Sequence, residues 1–237
     1  MVIKEGFFKG LPVCVLFSGG KDSTYALHWA FLKGFDVRCL VTLKPQSEGS
    51  WMFHYPAVEV TKLQSEALGI PQIYRETLGI KNRELKDLKE ALETASAKYG
   101  IKGVVTGALL SDYQRMNISL ITEELSLKVY SPLWRKGQDK YMLELVEYGF
   151  KFIITSISVY GLPPNLLGRI LKEEDVVYIA RMARRYGFNP AFEGGEAETL
   201  VVDAPLFRKA LRIVGEPIQV GEYNWRYVVK RAWLEEK

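Results

Sequence analysis

The sequence predicts an α/β protein: a doubly wound, mainly parallel sheet joined to a second, smaller α/β domain. Two observations carry that expectation. Up to about residue 134, short β-rich apolar runs alternate with longer helical patterns, as in βαβ units around a parallel sheet. After about residue 135 the rhythm changes to helix, strand and helix, followed by β-type runs separated by Gly-containing turns. The predicted division is therefore 1–135 and 136–237. With 237 residues, 48% of them hydrophobic and 25% charged, the chain has enough apolar material for a well-buried core, which excludes a disordered or fibrous class.

Within the first part, Pro12 to Phe17, Asp36 to Leu43, Gln72 to Arg75 and Lys102 to Thr106 read as buried strands, because each is short and bounded by turn residues. Helices over Lys21 to Lys33 and Asn82 to Tyr99 run into Gly34 and Gly100, the residue type a left-handed helix terminus prefers. Ser111 caps a helix reaching about Leu125. The second part opens with a helix near Tyr141 to Tyr148 and a strand from Lys151 to Ser156. A Pro-rich turn then leads to a helix from Glu173 to Tyr186, whose Arg181, Arg184 and Arg185 read as a solvated basic face. LRIVG, EPIQVG and WRYVVKRAWL read as three short closing strands.

The net charge of +4 is too small and dispersed to argue by itself for nucleic acid, which is not an expected partner, and mildly favours an anionic ligand, so charge leaves the partner open. Cys14 and Cys39 lie in apolar runs and read as small core residues; no disulfide framework or thiolate cluster is expected. The longest uncharged stretch, 152–168, is interrupted by Pro163, Pro164 and Asn165, so no membrane span is expected and the protein reads as cytoplasmic. A homodimer is the default assembly for a soluble enzyme of this size.

The most informative segment is VCVLFSGGKDSTYALHW, residues 13–29: a buried strand, a Ser-Gly-Gly turn, and a helix opening with Lys21, Asp22 and Ser23. Gly19 and Gly20 let the backbone curl around an anion, the helix N-terminus adds positive partial charge, and Ser18 and Ser23 add hydroxyl donors. Asp22 can hold Mg2+ or act as a helix-capping acid, both from one position; Lys21 can neutralise phosphate or be solvated. The spacing fits neither GxxxxGK[ST] nor GxGxxG, which argues against the Walker and dinucleotide-binding classes. A helix terminus contributes ~0.3–1 kcal/mol, whereas micromolar ATP binding requires about 8 kcal/mol, so the loop needs partners.

The SGGKDS string resembles the pyrophosphate loop of the N-type ATP pyrophosphatases, which implies an adenine nucleotide alpha hydrolase-like fold and cleavage of ATP between its α and β phosphates. By analogy of fold, the base lies near Val41, Thr42 and Gly107. Sulfur transfer to tRNA in related enzymes uses reactive or cluster-binding cysteines, which neither Cys14 nor Cys39 provides, and Val2 excludes an N-terminal glutaminase cysteine. The nitrogen donor expected is free ammonium.

Together with EGSWMFH (48–54), GALLSDYQR (107–115), Pro132-Leu133-Trp134 and EGGEAETLVVDAPLF (193–207), the loop resembles the diphthine–ammonia ligase family over nearly the whole chain. The resemblance implies that ATP and Mg2+ activate the carboxylate of diphthine on elongation factor 2 as an acyl-adenylate. Ammonia then displaces AMP, giving diphthamide. The site residues implied are Ser18, Gly19, Gly20, Lys21, Asp22 and Ser23 for the nucleotide, and Asp112, Arg115, Glu196 and Glu198 with Asp22 for catalysis. His54, Tyr113, Gln114, Glu193, Gly194, Gly195 and Thr199 are implied for the substrate. The stretch 116–119 (MNIS) departs from the family pattern downstream of the arginine.

Read from its residues alone, the acidic segment has Gly194 and Gly195 in a tight turn. A strand beginning near Glu196 would put Glu196 and Glu198 on one face, with Thr199, Val201 and Asp203 on the other. Such carboxylates could attract ammonium, accept its proton or pair with a quaternary ammonium; an acidic turn before a core strand is the plainer alternative. Asp112 can cap its helix or meet Mg2+, and Arg115 can clamp a phosphate or carboxylate. His54, alone in a loop, suits a structural role as well as a binding one. Two further functions compete: adenylation of a tRNA base or small carboxylate, and non-catalytic regulation by ATP binding.

Overall fold

The computed structural model describes residues 10–45, 60–78 and 81–237. Its first unit is a parallel sheet of five strands, β1 (Pro12–Leu16), β2 (Asp36–Pro45), β3 (Gln72–Thr77), β4 (Gly103–Val105) and β5 (Lys128–Tyr130), in the order β3-β2-β1-β4-β5. The connecting helices are α1 (Lys21–Leu32), α2 (Thr61–Leu68), α3 (Lys81–Tyr99) and α4 (Asp112–Glu124). The doubly wound arrangement follows from strand alternation. Val13, Val15 and Phe17 pack with Ala26, Leu27 and Ala30 of α1, while Cys14 and Leu16 face the other way onto Leu88, Ala91, Leu92 and Ile118 of α3 and α4. The expected strands and helices are all present; β5 and α2, which no run in the sequence singled out, complete the unit.

The second unit contains α5 (Gln138–Glu147), β6 (Lys151–Ser158), α6 (Glu173–Tyr186), β7 (Ala197–Asp203), β8 (Lys209–Gln219) and β9 (Asn224–Glu236). Its sheet is antiparallel, in the order β7-β6-β9-β8. LRIVG and EPIQVG are not separate strands but halves of β8, joined through an irregularity between Val214 and Gly215. A Cβ at Gly215 would lie 2.2 Å from the Val228 carbonyl oxygen, so the glycine there serves close strand approach rather than a turn. On α6, Val176, Ile179 and Ala183 are buried while the three arginines are exposed, as its periodicity predicts.

One hydrophobic core joins the units: Val13, Val15 and Leu27 are continuous with Phe152, Ile154, Ile179 and Val201. Cys14 and Cys39 are fully buried, opposite one another on β1 and β2. Burial pushes the Cys14 thiol well above its ordinary value, which keeps it unreactive. No helix among the described residues is long and apolar enough to cross a membrane.

Candidate active site

In this strand order the chain changes direction across the sheet at β1 and β4, and ligands of open α/β sheets bind beyond the carboxyl ends of the strands at such a point. The loops after β1 and β4 meet there closely: a Cβ on Gly107 would lie 2.7 Å from Asp22 C and Ser23 N. Gly107 thus admits the first turn of α1, a packing role established by geometry.

The loop after β1 holds itself open. Gly19 adopts φ 79°, in the left-handed region. The Ser18 and Ser23 hydroxyls lie 3.2 Å apart, Ser18 N–H donates to Ser23 Oγ at 3.2 Å, and Gly20 N–H donates to Ser18 Oγ at 3.4 Å. Gly20 is the N-cap of α1 and provides no side-chain acceptor. Two supports were not anticipated from sequence. Gln64, fully buried on α2, donates to Gly19 O at 3.0 Å and Val201 O at 2.7 Å. Thr199 Oγ1 accepts from Lys21 N–H at 3.2 Å, so this residue, expected at the substrate, buttresses the loop.

Asp22 is the centre of the site. Its Oδ2 lies 2.9 Å from Lys21 Nζ, and its Oδ1 accepts from the Tyr141 hydroxyl at 2.8 Å. Lys21 is buried, with its ammonium 5.7 Å from the centroid of the Phe192 ring. Burial, followed by the charge of Asp22, pushes the Tyr141 phenol well up, so it stays neutral and donates. Across from Asp22, Glu193 Oε1 accepts from Leu110 N–H at 2.9 Å and Ser111 N–H at 3.2 Å. Burial raises the Glu193 pKa and the Asp22 charge adds to the rise, while those two N–H groups and Lys21 oppose it. The acidic turn thus holds the loop after β4 through Glu193 and lies beside the phosphate loop through Phe192, and Tyr141, like Gln64, is a group that sequence reading missed.

The paired acidic face expected from Glu196 and Glu198 is not formed. The strand begins at Ala197, and the Glu196 carboxylate folds back onto its own turn, accepting from Asn189 N–H at 2.9 Å and Gly194 N–H at 2.8 Å. Charge-assisted bonds to two turn N–H groups outweigh projection along a strand. Gly195, at φ 82°, closes the turn, while Glu198 lies on β7 opposite Ser156. A Cβ on Gly194 would meet Glu196 Oε1 at 2.8 Å.

Ser111 caps α4 as expected, accepting from Gln114 N–H at 3.3 Å. Asp112 is exposed in the first turn, 3.7 Å from Arg115. The Arg115 guanidinium stacks over Trp134, 4.6 Å from the ring centroid. Tyr113 does not join the group around Asp22: it packs against the Cys14 and Leu88 core, and its hydroxyl feels Glu84 on α3. Val41 is buried in that core, and Thr42 donates to Phe17 O at 2.6 Å while accepting from Gln72 at 2.7 Å. Their side chains are committed to packing, leaving main-chain atoms for any base. His54 and the 48–54 segment lie outside the described residues.

Among the described residues no group of three or more His, Cys, Asp or Glu side chains could form a metal cage. Asp22 alone suits an ion carried in on phosphates, since Mg2+ keeps several waters and takes one or two carboxylates.

Comparison with known proteins places the chain in a family. The diphthine–ammonia ligase of Rattus norvegicus is 31% identical over 221 residues, covering 85% of this chain and 82% of that protein. The enzyme of the same name from Homo sapiens is 29% identical over the same shares of both chains. That of Schizosaccharomyces pombe is 32% identical over 90% of this chain but only 38% of its own length. The diphthamide synthase N-terminal domain matches residues 11–129 and the diphthamide synthase C-terminal domain matches 137–234, so the chain belongs to the diphthamide synthase family.

Proposed function

We propose that this protein is an ATP-dependent carbon–nitrogen ligase that converts diphthine on elongation factor 2 to diphthamide with free ammonium. The observation that carries the reading is the seating of the EGGE segment beside the phosphate loop: Phe192, next to Glu193, lies 5.7 Å from the Lys21 ammonium, and Thr199 accepts from Lys21 N–H. It brings the part of the chain suited to cations against the part suited to phosphates.

In this reading residues 1–135 bind ATP and 136–237 supply the acceptor side. Gly19, Gly20 and the start of α1 receive the departing pyrophosphate, with Lys21 drawn from Asp22 to its charge. Asp22 would hold the Mg2+ that accompanies the phosphates, and that ion would supply charge neutralisation for the departing pyrophosphate. The diphthine carboxylate attacks the α-phosphate to give an acyl-adenylate, and ammonia displaces AMP. Glu193 attracts ammonium and takes its proton; its raised pKa suits an acceptor better than an ordinary surface carboxylate. Arg115, at the start of α4, is available to the substrate's anionic groups. The proposed setting is the cytoplasm, where ATP and elongation factor 2 meet.

The test combines purified protein with ATP, Mg2+, ammonium and diphthine-bearing elongation factor 2, following AMP, pyrophosphate and the acceptor's mass. AMP and pyrophosphate with acid-to-amide conversion are expected. ATP binding without turnover would remove the substrate assignment and return tRNA or a small carboxylate as acceptor.

A further inference from the structure

Asp22 is held by two donors of different character. Lys21 reaches Oδ2 from a flexible four-carbon stem and carries a full charge that phosphate would attract. Tyr141 reaches Oδ1 from α5, in the second unit, and is fully buried. Its ring meets Tyr25 edge-on, with centroids 5.4 Å apart and planes at 88°, so packing fixes where its hydroxyl points. The phenol is neutral and orients the carboxylate without cancelling its charge.

We propose that Tyr141 is the positioning residue for Asp22: it ties down Oδ1 so that, once Lys21 turns to the phosphates, Oδ2 is presented to the magnesium–nucleotide. This rests on the nucleotide reading given above. Without the hydroxyl, the carboxylate rotates freely about its last torsion and both oxygens can turn to Lys21. Tyr141 thereby also makes the metal response of the loop depend on correct docking of α5.

Calorimetric titration with ATP, with and without Mg2+, tests this in wild type, Tyr141→Phe, Asp22→Asn and the double variant. Tyr25→Phe, which removes a hydroxyl from the same aromatic pair, is the packing control, and melting temperatures report on the fold. In Tyr141→Phe, metal-free ATP affinity should stay within about twofold of wild type, while affinity in Mg2+ falls about tenfold, as for loss of a charge-assisted hydrogen bond. The double variant should be no worse than Asp22→Asn, and Tyr25→Phe should respond to Mg2+ like wild type. A normal Mg2+ response in Tyr141→Phe, or additive losses in the double variant, would overturn the assignment. The double-variant comparison separates loss of positioning from general destabilisation. Failure of wild type to bind ATP at all would overturn the nucleotide reading itself, and this role with it.

Discussion

Gln64 and Val201 are joined by a 2.7 Å hydrogen bond from side-chain amide to main-chain carbonyl, and the same amide nitrogen donates to Gly19 at 3.0 Å. A residue on α2 therefore ties the phosphate loop to β7, the strand that follows the acidic turn. Gln64→Ala strips Val201 O of that donor in a fully buried setting, for which a cost of ~2 kcal/mol is expected. Chemical denaturation measures the loss, and ATP affinity should weaken severalfold with it, because Gly19 O keeps only the Val201 N–H at 3.0 Å.

Gly107 makes a sharper separation between stability and activity. An alanine there would put its Cβ 2.7 Å from main-chain atoms of Asp22 and Ser23, so the first turn of α1 must retreat. Small misplacements of reacting groups are expensive, and kcat/KM for ATP should fall about 100-fold. Steady-state AMP formation checks this. Retention of wild-type kcat/KM would mean that the gap between the loops is not used.

Glu193 offers a comparison between charge and shape. Glu193→Gln keeps an oxygen for the Leu110 and Ser111 N–H groups but removes the charge facing Asp22 and Lys21. Ammonium KM should rise about tenfold, a loss of ~1.4 kcal/mol, while ATP binding stays near wild type. In wild type, activity should rise with pH as Glu193 ionises, through a midpoint above the ordinary carboxylate value of 4.5. That rise should vanish in Glu193→Gln; its persistence would assign the titration to another group.

The extent to which the sequence foretold this site depends on the range of the interactions. SGGKDS was legible because a strand, a glycine turn and a helix start are local, and the α1 boundary at Lys21 is where the pattern puts it. Ser111 was legible for the same reason. Tyr141 was not, because its bond to Asp22 spans 119 positions and a tyrosine in a helical pattern reads as core. Gln64 was hidden similarly, since its bond to Val201 spans 137 positions. Glu196 and Glu198 misled because alternation supposes a strand, whereas the Asn189 and Gly194 N–H groups draw Glu196 into the turn. The β8 run read as two strands because Gly215 looks like a turn residue until its close partner, Val228, is known.

His28 supplies a stability prediction away from the chemistry. Its Nε2 accepts from Leu206 N–H at 3.1 Å, so the ring proton resides on Nδ1, which donates to Thr24 O at 2.7 Å. The neutral imidazole thus joins α1 to the segment after β7, and burial lowers its pKa from 6.5 to about 4. Between those values the unfolded chain binds a proton that the folded protein excludes, so stability rises with pH across the interval. The contribution is complete above 6.5 and is lost as pH falls toward 4, by ~3 kcal/mol in all and ~2 kcal/mol by pH 5. In His28→Leu both hydrogen bonds disappear, lowering stability at neutral pH by ~2 kcal/mol, but nothing remains to titrate there. Urea unfolding at pH 7.5 and pH 5 should therefore show wild type losing ~2 kcal/mol more than His28→Leu on acidification. Equal losses would mean that His28 takes up its proton in the fold as readily as in the unfolded chain, giving up its acceptor bond to Leu206 at no cost.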